Sequence, residues 1–147
     1  MKQLFKMQLT VVVIFTLNFS SCSKKDSTPK PDSQTLLIGK IWKITEKAED
    51  ENKNGKLEAN EYHALDANTI GEITLSTGGV GNEMFRGDWA LQWSLLDDQN
   101  MKVNINYING SEFFNWHIVK LTDTEFDFVE TTYTDKVITF GFHCTPK

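Results

Sequence analysis

The run DENKNGKLEANE, residues 50–61, concentrates oxygen donors at regular spacing. Asp50, Asn52 and Asn54 stand at alternate positions, Gly55 follows, and Glu61 ends the run. A hard divalent cation such as calcium takes six to eight oxygen ligands, and every constrained position of the D-x-[DN]-x-[DN]-G-x5-E pattern is filled. In such a loop Asp50, Asn52 and Asn54 would each supply a side-chain oxygen and Lys56 its backbone carbonyl. Glu58 would act through a water and Glu61 would supply two oxygens. Gly55 permits the sharp bend, and Leu57 would pin the loop to the core. The competing reading is a solvated polar turn. Only Asp50 and Glu61 are charged direct ligands, and Lys53 and Lys56 lie beside them. The expected affinity is therefore about 10⁻⁴–10⁻³ M, the range of extracellular modules. A structural role fits better than a sensor, because a sensor needs a paired loop and the chain has one.

Catalytic patterns are not found. His63, His117 and His143 lack metal-ligand spacing, and no nucleophile elbow, phosphate loop or dinucleotide fingerprint occurs. Asp97-Asp98 falls at a predicted turn. Glu125 and Asp127 alternate with Phe126 and Phe128 and so belong to an outward strand face. A non-enzyme is the expectation. The aromatics are the other candidate recognition groups. Most must fill a core, but Trp93, Tyr107, Phe113, Phe114 and Trp116 are candidates to meet a small hydrophobic, aromatic or sugar ligand. Phe113 and Phe114 cannot both face inward in a regular strand, so one belongs to a mouth or an interface.

The elements that must position these groups show a period of two. In 101-MKVNINYI-108, Met101, Val103, Ile105 and Tyr107 share one face. Asn109-Gly110 then gives a tight hairpin, and 111–121 is the return strand. Further strands are expected at 125–132 and 136–144, and upstream at 72–76 and 89–96. Thr77-Gly78-Gly79 opens a looser segment that includes Gly81. The first strand lies in GKIWKITEKA, residues 39–48. Leu37, Ile41, Ile44 and Ala48 also recur at helical spacing, but Ile41, Trp42, Ile44 and Thr45 are strand formers. A short helix is expected in 58-EANEYHAL-65. The sum is an all-β chain of seven or eight antiparallel strands, a meander curled into a sandwich or closed barrel, with a loop and short helix inserted after the first strand.

The N-terminus reads as an address. Lys2 and Lys6 precede the apolar run 8-QLTVVVIFTLNF-19, and Ser20-Ser21-Cys22 closes it. This is a secretory signal, shorter than a spanning helix of about 20 residues. Small residues followed by Cys resemble the lipobox of bacterial lipoproteins, which implies cleavage before Cys22 and acylation of its thiol, for example by palmitate. Phe19 stands where Leu is commonest. A disulfide between Cys22 and Cys144 is the alternative in an oxidising compartment. The Pro-bearing run 23-SKKDSTPKPDSQ-34 reads as a tether. The expected organisation is a signal peptide at 1–21, a lipidated tether at 22–34 and one domain at 35–147. The formal charge is −5, and residues 1–21 hold two lysines and no acids, so the remainder carries −7. Such an acidic chain argues against a nucleic-acid partner.

The run 36-LLIGKIWKIT-45, then 88-DWALQWSLLDDQNMKVNI-105 and 116-WHIVKLTDTEFDFVETT-132, resembles bacterial lipocalin-like lipoprotein domains. Ile118, Leu121, Thr122, Thr124 and Phe126 stand in for the family's late strand pair, and an extra residue separates Gly39 from Trp42. The 50–61 run resembles an EF-hand loop entered from a strand. Together they imply a small barrel on a lipid anchor in the bacterial cell envelope, on the outer membrane, stabilised by one calcium ion. The implied function is non-catalytic binding of a small hydrophobic or aromatic ligand. The alternative is a structural or interaction protein with a packed barrel.

Overall fold

The structure, a computed structural model, describes residues 32–66, 68–69, 71–133 and 137–147. The signal peptide, Cys22 and the tether as far as residue 31 lie outside the described residues. A short helix, α1 (Ser33–Leu37), precedes β1 (Ile41–Ala48). An insert then carries a 3-10 turn (Ala59–Glu61) and β2 (Tyr62–Ala64). The remaining strands are β3 (Glu72–Ser76), β4 (Val80–Glu83), β5 (Trp89–Leu95), β6 (Asn100–Tyr107), β7 (Gly110–Leu121), β8 (Phe126–Thr132) and β9 (Ile138–Pro146).

Every pairing is antiparallel. β3 to β9 pair in sequence order, β1 pairs with β3, and β9 pairs back onto β1. The result is a closed eight-stranded barrel of β1 and β3–β9, which leaves no long edge to recruit other chains. The ninth strand, β2, lies on the same edge of β1 as β3: Ile41–Lys43 pair with β3, and Glu46–Ala48 pair with β2. Against β9, Ile44 pairs with Cys144 and Glu46 with His143, so Thr45 is the extra residue of a bulge. Its hydroxyl donates to the His143 carbonyl at 3.1 Å.

Alternation fills the interior. Met101, Val103 and Ile105 of β6 face in, as do Leu91 and Trp93 of β5, Phe114, Trp116 and Ile118 of β7, and Phe126 and Phe128 of β8. Trp116, Phe126 and Phe142 each stack or tilt against Phe128, with centroids 4.3–5.0 Å from its ring. One end is capped by α1. Asp32 caps the helix by accepting from the Thr35 amide at 2.6 Å, and Leu37 is fully buried. The Trp42 indole N–H donates to the Leu37 carbonyl at 3.0 Å. Ser33 and Lys40 reach the Asp98 and Asp123 carbonyls in the two turns at that end.

Two local expectations are corrected. Residues 80–83 form a true strand rather than a looser segment. A Cβ on Gly81 would lie 2.1 Å from the Thr74 carbonyl oxygen, so this glycine marks close strand approach, not a loop. The expected helix at 58–65 is one 3-10 turn followed by β2, because Tyr62–Ala64 find an unpaired stretch of β1. Helix α1 overlaps the expected tether only at Ser33 and Gln34.

Candidate functional site

The oxygen-rich run lies in the insert that leaves β1 at Ala48 and returns as β2. Its polar side chains fold back over its own backbone. Asp50 accepts from the amides of Asn54 (3.0 Å) and Gly55 (2.8 Å). Asn52 also accepts from Asn54, and Asn54 accepts from Lys56 at 2.8 Å. Gly55 takes φ 78° and Lys53 φ 56°, the left-handed turns that this wrapping needs. Glu61 is buried and ties both ends, with one oxygen on the Glu51 amide (3.1 Å) and the other on the Glu58 amide (2.9 Å). The latter contact is half of a capping box with Glu58. Glu58 also accepts from the Asn54 side-chain amide at 3.2 Å.

The donor set is all oxygen and so chemically suited to calcium. Asp50, Asn52, Asn54, Glu58 and Glu61 all belong to this one hydrogen-bonded loop, as does Lys56. Among the described residues, no group of three or more His, Cys, Asp and Glu side chains is arranged to hold a metal ion. Leu57 leaves the loop and packs on the barrel's outer wall. A Cβ at Gly141 would meet Leu57 Cδ1 at 2.4 Å and the Tyr62 hydroxyl at 2.7 Å. Gly141 therefore makes the seat on β9 that holds the insert down. Beside it, His143 pairs through Nδ1 with Asp127 on β8. Burial, with Asp127 and Glu46 adding to it, raises the Tyr62 phenol above its ordinary range.

Four of the five candidate ligand-binding aromatics lie in the core or pack against it, and Phe113 stands apart. Trp93, Phe114 and Trp116 are core residues. Tyr107 is half-buried at the end opposite α1, with its ring 5.5 Å from that of Trp89. Phe113 is 44% exposed on the outer wall, so the Phe113-Phe114 pair divides as alternation requires.

A charged cluster that sequence reading missed lies inside the barrel end opposite α1. Glu130 is fully buried; it accepts from the Trp116 indole N–H at 2.9 Å and pairs with Arg86 at 2.5 Å. Arg86 comes from the β4–β5 loop, and its guanidinium lies 5.3 Å from the Phe114 ring and 5.2 Å from the Phe140 ring. Glu83, also buried, accepts from the Phe85 and Arg86 amides and stands 3.5 Å from the guanidinium. Burial pushes the Glu130 carboxyl up to about 7 against the opposing pull of Arg86 and Trp116. Burial likewise raises Glu83. The signal was present: Glu130 is in phase with Phe126 and Phe128, hence inward.

Cys144 is a free, fully buried thiol, and burial raises its pKa far above the ordinary range. Compared with known proteins, the chain matches no family model, no curated protein and no solved structure.

Proposed function

We propose that the chain is a cell-envelope lipoprotein, anchored through Cys22, whose lipocalin-like barrel is a non-catalytic binding module with a packed interior and a working outer surface. The observation that supports a packed interior over a ligand-filled one is the side-chain occupancy. Trp42, Trp116, Phe126, Phe128, Met101 and Ile105 are each buried to within about 1% of completeness inside the wall. The remaining inward polar space holds the Glu130–Arg86 pair. A lipid-like guest would have to displace a buried ion pair, leaving charge uncompensated.

The insert is, on this reading, a structural calcium loop. Asp50, Asn52, Asn54 and Glu61 would bind by side-chain oxygens, Lys56 by its carbonyl and Glu58 through water. Support comes from the oxygen-only donor set and from the wrapped loop conformation, which holds these groups on one short segment. Calcium would supply the positive charge that offsets Asp50, Glu58 and Glu61. The interior is tested by titrating the purified chain with an environment-sensitive apolar dye, 1-aminoanthracene, and by extracting it for copurified lipid. The expected result is no saturable dye site and no stoichiometric lipid. One dye per chain, displaced by fatty acid, would overturn the packed-interior reading in favour of the hydrophobic-ligand one.

A further inference from the structure

A groove of about 350 Å³ runs along the outer wall over β5, β6 and β7. The register sets it out. Val80 of β4 is paired with Gln92 of β5, Gln92 with Asn104 of β6, and Asn104 with Phe113 of β7. One step along, Ser94 is paired with Lys102. Leu91, Trp93, Val103, Ile105 and Phe114 face inward, so these alternate residues face out. The β3–β4 turn at Gly78-Gly79 forms one wall and Phe113 the other.

Two features are unusual for a solvated strand face. Phe113 and Tyr133 are both nearly half exposed, with centroids 6.2 Å apart, and Lys102 Nζ lies over both rings at 4.9 and 4.5 Å. Beside them, Asn104 Oδ1 is shielded from solvent and has no hydrogen-bond partner. A buried acceptor left unmade is costly and calls for a donor. An apolar guest would not supply one. A pyranose ring would: it offers a C–H face to an aromatic ring and hydroxyl donors around its edge. The floor matches that edge with the Gln92 amide and the Ser94 hydroxyl. Among the described residues, the only charge lining the groove is positive, Lys102.

We propose that this groove is a saccharide subsite for an acidic pyranose, with the ring on Phe113, the Asn104 amide turning its Oδ1 outward to accept from a ring hydroxyl, and the uronate carboxylate meeting Lys102. The site rests on the outer wall being the working surface. It takes a chain-terminal or short segment of polyuronate rather than a lipid.

The test follows the side-chain amide resonances of Asn104 and Gln92 in the ¹⁵N-labelled chain while trigalacturonate, trimannuronate or neutral galactotriose is added. A saturable shift with at least one acidic trisaccharide is expected. It should weaken at least tenfold in Phe113→Ala and in Asn104→Ala, variants whose outward positions leave the thermal midpoint near that of the parent. Lys102→Gln should remove the preference over galactotriose. No saturable shift with either acidic sugar overturns the proposal. So does binding undiminished in both Phe113→Ala and Asn104→Ala, which would be charge attraction alone. Equally tight binding of galactotriose by the parent chain refutes the part given to Lys102 and with it the acidic site. Dye binding inside the barrel reports on the interior and leaves these resonances unmoved, so the two readings fail separately.

Discussion

The Glu130 cluster makes stability depend on pH in a direction opposite to the common behaviour of paired carboxylates. In the folded barrel the Glu130 carboxyl titrates at about 7, against an ordinary value of 4.5. The native state therefore holds this proton where the unfolded chain has lost it. The Glu130 contribution is fully present below about pH 4.5 and is lost as pH rises to about 7, since ∂ΔG/∂pH follows the protons bound by the unfolded state minus those bound by the native state. A shift of this size corresponds to roughly 3 kcal/mol at 1.36 kcal/mol per unit. For a domain of this length that is on the order of 10 °C in the midpoint. Asp32, Asp97 and Glu125 are held below their ordinary values by hydrogen bonds, Glu125 by Lys120. Their stabilisation is lost only as pH falls into the acid range, so the windows do not overlap. The assay is urea unfolding at several pH values from 4.5 to 8, with Glu130→Gln alongside. Glutamine turns an N–H toward either Trp116 or Arg86, so the variant should be weaker near pH 5, by about 1–3 kcal/mol. Its slope between pH 5 and 7 should be much flatter. A parent stability that is level or rising across this window, or a slope unchanged in Glu130→Gln, would refute the assignment.

Calcium should raise the thermal midpoint of the metal-stripped chain. At ~10 mM ion and a dissociation constant of about 10⁻⁴–10⁻³ M, the gain is roughly 1.4–2.7 kcal/mol. The increment, not the starting midpoint, should vanish in Asp50→Ala and in Glu61→Ala, because Glu61→Ala also loses its capping contacts; no increment in the parent chain makes the run a polar turn. Gly141→Ala should cost about 1–3 kcal/mol by overpacking against Leu57 and Tyr62. Circular dichroism should show the barrel retained while protease cuts the displaced insert faster. Cys144 should resist a disulfide-exchange reagent in native buffer and react once in denaturant, because it is buried and its thiolate is disfavoured; immediate native reaction would show the β1–β9 seam to be open.

The strands with alternating apolar residues were legible: β6, β7 and β8 follow the period of two, and Asn109-Gly110 sets the β6–β7 hairpin. What escaped reading depends on partners distant in sequence. Residues 80–83 look like a glycine-rich loop until β3 and β5 close on either side. Three residues after the 3-10 turn become a strand only because β1 extends beyond β3. Helix α1 has five residues, too few for a periodic signal, and is fixed by the Asp32 cap and by burial of Leu37. For the sites, donor identity in the 50–61 run was readable because it lies within one loop. The aromatics were not: one stretch of β7 sends Phe114 and Trp116 inside and Phe113 outside, and only the register shows that Phe113 stands next to Asn104.

The location of the insert would give a bound calcium ion a mechanical consequence. A barrel closes where its first and last strands meet, here β1 and β9, and this pairing carries the greatest loop-closure cost. The insert straddles that seam. It departs from β1, returns to pair with β1 as β2, and sets Leu57 and Tyr62 on Gly141 of β9. Glu61, which ties the loop to itself, is the residue immediately before β2. An ion that orders the loop therefore holds the strap across the seam, while the hairpins from β3 to β8 need no such help. Hydrogen exchange can separate the two regions. With calcium, amides of β1 and β9 between Glu46 and His143 should gain protection beyond any change in β5 and β6. A uniform gain across all strands would mean that calcium acts only by stabilising the whole fold, and protection confined to the loop would mean that the strap bears no load.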